Sequence, residues 1–276
     1  PPHPYGTQTV LGTQEDLKNP SITNIKEYYK KWYVPNNMAI CLSGDFDPDQ
    51  MIATIDKYFG GLKPNPDLPK LDLPKETPIT APVVREILGP DAESVALAWR
   101  FPGAADKDVE TLQVVSQILY NGQAGLIALD LTQQQKTLSA YCYPMTMSDY
   151  SAFMMQGRPK QGQTLDEVKD LLLGELKKLR EGDFDEKMLE ANINNFKLYQ
   201  MQQLENNDAR ADMFVESFVN GSDWADEVTA LDRMSKLTKD DIVAFANKYL
   251  KDDNYAVIYK KQGKDPNEKK MSKPEI

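Results

Sequence analysis

A stretch near the start of the chain returns, degraded, near its end. Residues 21–42, within SITNIKEYYKKWYVPNNMAICLSGD, align without a gap on TKDDIVAFANKYLKDDNYAVIY, residues 238–259. Ser21 falls on Thr238, Ile25 on Ile242, Tyr28 on Phe245, Trp32 on Tyr249, Asn37 on Asn254 and Ile40 on Val257. Ile25, Tyr28, Tyr29 and Trp32 recur at helical spacing behind a hydroxyl N-cap candidate, which predicts an amphipathic helix running through a turn into a short apolar strand, Met38 to Ser43. An offset of this length is too long for a solenoid and suits a duplicated domain. The competing reading is that cap, helix, turn and strand are a common local sequence grammar. Under duplication, the chain starts near the end of one unit and then contains one complete second unit.

The boundaries follow from composition and periodicity. Residues 1–62 read as the closing helix, strand and second helix of a preceding unit, the second helix opening at Asp47-Pro48 and stopping at Gly60-Gly61. Residues 63–82 are a Pro-rich connector. Residues 83–262 read in order as two strands, two helices, two strands, several helices and a final strand. Residues 263–276, charged and Pro-containing, are expected to be a disordered tail. This is an α+β pattern, an antiparallel-rich sheet packed with helices.

Charge and residue counts remove function classes. The 276 residues carry a net charge of −10, which argues against nucleic acid and anionic membrane surfaces and leaves a cationic ligand open. No apolar run is long enough to span a bilayer. Cys41 and Cys142 are the only cysteines; each lies in a predicted strand and reads as a small buried hydrophobe. His3 is the only histidine, read as an exposed residue of the lead-in, so neither a two-histidine zinc site nor a serine triad can be built.

Asp45, Asp47 and Asp49 alternate but lack the glycine and terminal glutamate of a calcium loop, so helix capping accounts for them. Glu181, Asp183, Asp185 and Glu186 read as turn and cap residues. NGQAG at 121–125 lacks the lysine and hydroxyl of a phosphate loop and reads as a helix-to-helix turn. Trp32, Trp99 and Trp224 read as core. Catalytic residues: none; metal ligands: none; substrate-binding residues: unassigned.

Several motifs together resemble the pitrilysin, insulysin and mitochondrial-processing-peptidase family of zinc metallopeptidases. These are HPYG at 3–6, Tyr33, Pro35, Asn36, Asn37, Gly44 and Asp45, and Tyr58-Phe59-Gly60. The runs DVETLQVVSQILYNGQAGLIALDL at 108–131 and LTKDDIVAFANKYL at 237–250 are also similar. The resemblance implies duplicated α+β units forming a chamber that closes on unfolded peptides. It implies zinc on an inverted His-x-x-Glu-His helix in an upstream unit, before Pro1. That motif is absent here, so the chain alone is expected to be inactive, contributing chamber wall and scaffold; its cofactor, zinc, belongs to the upstream unit. The implied partners are the zinc-bearing unit, in the same parent chain or a partner subunit, and unfolded peptide. The alternative is a catalytically silent partner or binding protein with a peptidase-like fold. Tyr141 can be placed on a family tyrosine that helps hold substrate, but its companion arginine position falls near Thr132 at a longer spacing, so that role is not carried over.

Overall fold

The computed structural model describes residues 2–18 and 20–266. The chain divides into two compact units: Pro1–Pro78 together with Leu204–Phe218, and Ile79–Gln203 together with Val219–Ile276. Most of the tail expected at 263–276 lies outside the described residues.

In the larger unit, five strands line up in the order β1-β5-β2-β4-β3. They are β1 (Val83–Gly89), β2 (Ser94–Pro102), β3 (Ser139–Met145), β4 (Tyr150–Arg158) and β5 (Tyr255–Gln262). Only the β1–β5 pair is parallel, as the antiparallel-rich reading requires. Alternation selects the inner face. Along β2, Val95, Leu97, Trp99 and Phe101 are buried while the residues between them are half-buried, and β4 alternates in the same way.

The buried face is covered by the helices α5 (Lys107–Leu119), α6 (Leu165–Glu181) and α10 (Lys239–Tyr249). Each fully buried large side chain contributes about 1.5–3 kcal/mol over its exposed state. Phe101 lies against Phe245 and Tyr249 of α10, with ring centroids 5.7 and 4.8 Å away. The Trp99 indole donates to the Lys251 carbonyl at 3.0 Å, satisfying its one polar atom. At Gly157 a Cβ would stand 2.5 Å from Val168 Cγ1, so glycine is what lets α6 lie this close to β4.

Local signals set the helix ends. Thr164 and Glu167 form the capping box of α6, and Gly182 terminates it with φ +74°. Thr238 and Asp241 form a second box at α10. The predicted helix from about residue 125 is realised as a short helix ending in a π-helical turn, Ala128–Thr132. The helix α7 (Glu186–Leu204) gives way to α8 (Asn207–Asn220), and α9 (Trp224–Met234) follows.

The smaller unit contains α1 (Pro4–Thr7), α2 (Gln14–Lys18), α3 (Ile22–Trp32) and α4 (Pro48–Phe59). Both long helices are capped as read, Ser21 Oγ accepting from Asn24 N at 3.3 Å and Asp47 Oδ1 from Gln50 N at 2.9 Å. The adjacent asparagines divide the work of the turn. Asn36 exchanges hydrogen bonds with Asn65 of the connector at 2.8 and 2.9 Å, and Asn37 donates to the Trp32 carbonyl at 3.0 Å. Residues 38–43, predicted as a strand, have no ladder partner among the described residues. A strand exists only by pairing, and this segment remains extended and exposed on its Met38, Ile40 and Leu42 side chains.

Candidate functional site

The helices cover one face of the sheet; the other is open, and the strand registers define its side chains. Four transverse rows can be read across it. One runs Arg85, Ile258, Ala96, Gln156, Tyr141; the next runs Val83, Ala256, Ala98, Met154, Tyr143. The pairs Lys260–Ser94 and Arg158–Ser139 flank them on one side as a third row, next beyond the Val95–Gly157 pair, and Arg100, Ala152 and Met145 form the fourth on the other. The centre of the face is therefore built of alanines, with aromatic and methionine side chains along the β3 margin and cations towards the ends.

The aromatic margin is ordered. Tyr141 donates to Gln156 Oε1 at 2.5 Å, Gln156 Nε2 donates to the Tyr143 hydroxyl at 3.5 Å, and the two tyrosine rings lie stacked at 6.1 Å. Tyr120, at the end of α5, approaches Tyr141 at 6.3 Å. Arg100 lies over the Tyr150 ring at 5.4 Å, a cation–π contact. Such a surface offers aromatic and hydrogen-bonding contacts of the kind that bind an extended ligand.

The remaining sequence candidates fall elsewhere. His3 departs from expectation, being buried rather than exposed. Its Nδ1 accepts from Tyr5 N at 3.2 Å, and the His3 backbone N–H donates to Glu76 Oε1 at 2.9 Å, because the lead-in folds onto the end of the Pro-rich segment instead of fraying. Among the described residues no three His, Cys, Asp or Glu side chains come together as a metal site, and the one imidazole already has Nδ1 engaged, so the residues present do not fit a zinc ion.

Asp47 caps α4, Asp49 lies in its first turn, and Asp185 Oδ1 accepts from Lys187 N at 2.9 Å at the start of α7. In the 121–125 turn, Asn121 Oδ1 accepts from Gln123 N and Ala124 N at 3.1 and 2.7 Å, so the amides a phosphate would need are already used. Cys142 is buried, which pushes its thiol pKa up, and it contacts the Ser116 carbonyl; Cys41 is half-buried. Trp99 is core, whereas Trp32 and Trp224 are only half-buried, because neither lies on the covered face of the sheet.

Thr132 and Tyr141 are brought close, the threonine hydroxyl reaching the Ala140 carbonyl at 3.5 Å, but Thr132 supplies no cation. Glu175, Lys178 and Asp130 form a cluster tying α6 to the π-helical turn: Lys178 Nζ reaches Asp130 at 2.7 Å and Glu175 at 3.0 Å. Burial pushes the Glu175 carboxyl up, and Lys178 opposes that. Among the described residues no helix is long and apolar enough to cross a membrane.

The peptidase M16 inactive-domain model matches residues 21–196, across both the helix–turn segment and most of the sheet-bearing unit. The chain belongs to this family. A curated relative of the inactive domain described here is the zinc protease PqqE of Helicobacter pylori, 25% identical over 265 residues, covering 94% of this chain and 59% of the relative. In fold the chain is similar to a protease from Helicobacter pylori, with a TM-score of 0.84 at 22% identity, covering 91% of this chain and 61% of that one. It is also similar to an M16-like peptidase from Alicyclobacillus acidocaldarius, with a TM-score of 0.77 at 18% identity, over 93% of this chain and 62% of that one. The chain thus spans about three-fifths of the length of these relatives.

The open face and its margin were only partly foreshadowed. The run Val95, Leu97, Trp99, Phe101 marks one face of β2 in the sequence, and its complement, Ala96, Ala98 and Arg100, could have been read off as the other. That β1 and β4 add Arg85, Met154, Gln156 and Arg158 to the same side follows only from the sheet order.

Proposed function

We propose that this chain is the non-catalytic domain of a zinc metallopeptidase, forming chamber wall and scaffold for unfolded peptides. Its partner is a zinc-bearing unit, in the same parent chain or in a partner subunit, and zinc belongs to that unit. Residues 1–62 are the closing elements of the preceding unit, 63–82 the connector and 83–262 a complete unit.

One observation carries this reading. The helix α3 and the extended residues 38–43 have the sequence pattern and the local geometry of α10 and β5, yet where α10 and β5 build a core, α3 and α4 bury no residue. Ile25, Tyr28, Ile40, Ile52, Tyr58 and Phe59 are exposed, an apolar surface with the spacing of an interior that no described residue encloses. A sheet presented by the zinc-bearing unit would pair residues 38–43 and cover both helices.

The test has two parts. The purified chain, offered unfolded peptides with and without zinc, cleaves none; when the zinc-bearing unit is supplied it associates with this chain and cleavage appears. Metal-dependent cleavage by the chain alone, surviving repurification, would overturn the assignment. Association without any cleavage by the assembly would select instead a silent binding protein with a peptidase-like fold.

A further inference from the structure

The chain as a whole is acidic, with 42 Asp and Glu against 32 Lys and Arg. The open face of the sheet is not. The strand registers place four charged side chains on it, Arg85, Arg100, Arg158 and Lys260, and every one is a cation. Glu86, the acidic residue of β1, stands on the opposite side, bound to Lys261 at 2.8 Å. Lys260 is neutralised at 3.4 Å by Asp91 of the adjoining turn. Among the described residues neither Arg85 nor Arg158 has an ion-pair partner, and both are exposed.

From this segregation we infer that the open face docks an acidic segment of an extended polypeptide. The inference rests on the peptide-lined chamber proposed above and names which peptides that wall prefers. Spacing decides the ligand class. Arg85 on β1 and Arg158 on β4 are three strands apart, roughly 14 Å at the usual strand separation of about 4.8 Å. Arg100 lies across from Ala152, and Arg158 lies six residues further along β4, roughly 20 Å at about 3.3 Å per residue. One small anion cannot span such gaps. Carboxylates distributed along an extended chain can, since that chain advances about 3.3–3.6 Å per residue.

A peptide also uses the rest of the face. Its apolar side chains meet Tyr143, Met145 and Met154, and guanidinium groups hold carboxylates with paired, directional hydrogen bonds. Local charge therefore reverses the preference for cationic ligands that the composition suggests.

The experiment measures binding of three labelled unstructured peptides, acidic, neutral and basic and matched in aromatic content, to the 276-residue chain by fluorescence anisotropy at low and high salt. The expected result at low salt is about fivefold tighter binding of the acidic peptide than of the neutral one, from two surface ion pairs of modest strength, at Arg85 and Arg158. The preference collapses at high salt, where screening shortens to a few ångströms. Replacing Arg85 and Arg158 together by Gln abolishes the preference. Arg158→Gln alone, an exposed change at a strand end, lowers it measurably, and Lys177→Gln on the helix-covered side leaves it intact. Equal binding of acidic and neutral peptides, or a preference that survives the double substitution, would overturn the inference while leaving the peptide-wall reading in place. Failure to bind any of the three removes both.

Discussion

The same helix–turn–extended pattern occurs twice in this chain and meets two different fates. Locally the copies agree in detail. Tyr33 and Leu250 end the two helices with φ, ψ of −89°, 70° and −98°, 61°. Asn37 donates to the Trp32 carbonyl at 3.0 Å, and Asn254, at the equivalent position, donates to the Tyr249 carbonyl at 2.8 Å. In their surroundings they differ completely. Ile242 is 0% exposed and Ile25 57%; Val257 is 2% exposed and Ile40 47%. The second copy lies between β1 and β2 at its strand and against α5 and α6 at its helix, while among the described residues the first has no such partners. Local geometry is thus set by capping and turn chemistry, whereas burial is set by what the rest of the chain brings.

The contrast is sharpest under truncation of the paired isoleucines. Ile242→Ala should cost about 2–5 kcal/mol of stability through lost transfer energy and a residual cavity. Ile25→Ala should stay within about 0.5 kcal/mol, as for an exposed side chain. Urea unfolding of the two variants measures both, and equal losses would mean that the first copy has a core of its own. With the zinc-bearing unit bound, Ile25→Ala should weaken association, the one setting in which the first copy behaves like the second.

A smaller effect separates the asparagines. Asn254→Ala removes a half-buried hydrogen bond worth about 1 kcal/mol, and Asn37→Ala removes the same bond where water can replace it, for a few tenths of a kcal/mol. Identical shifts in the urea midpoint would show that turn chemistry alone sets these energies.

The smallest difference is in acid. Hydrogen bonds from the Thr238 hydroxyl and backbone hold the Asp241 carboxyl below the usual range. A depressed folded-state pKa contributes stability that is complete above the unfolded value, about 3.9, and is lost as pH falls through the folded one. The equivalent residue of the first copy is Asn24, which does not titrate. Asp241→Asn should therefore flatten the stability–pH curve below about pH 4. An unchanged slope would place the acid sensitivity of this segment elsewhere.

Much of the fold was legible because its signals are short-range. The N-caps at Ser21 and Asp47, the helical spacing of Ile25, Tyr28, Tyr29 and Trp32 and the stop at Gly60 each lie within a few residues, and each formed as the residues dictate. Where expectation and structure part, the deciding contact is distant. His3 is buried because Glu76, 73 residues away, accepts from its backbone N–H. Residues 38–43 have strand character without a strand, since pairing requires a neighbour that no local pattern can supply.

The duplicated pattern and the motifs that mark the family resemblance, HPYG at 3–6, Tyr33, Pro35, Asn36, Asn37 and Tyr58-Phe59-Gly60 among them, are properties of the sequence. Tertiary structure decided which copy of the pattern is enclosed, which face of the sheet stays open, and that Arg85, Arg100 and Arg158, spread over 74 residues, share that face. The reason is the reach of the forces involved. Caps and periodicity act over one helical turn or one strand, while a face is defined only once strands distant in sequence are ordered side by side.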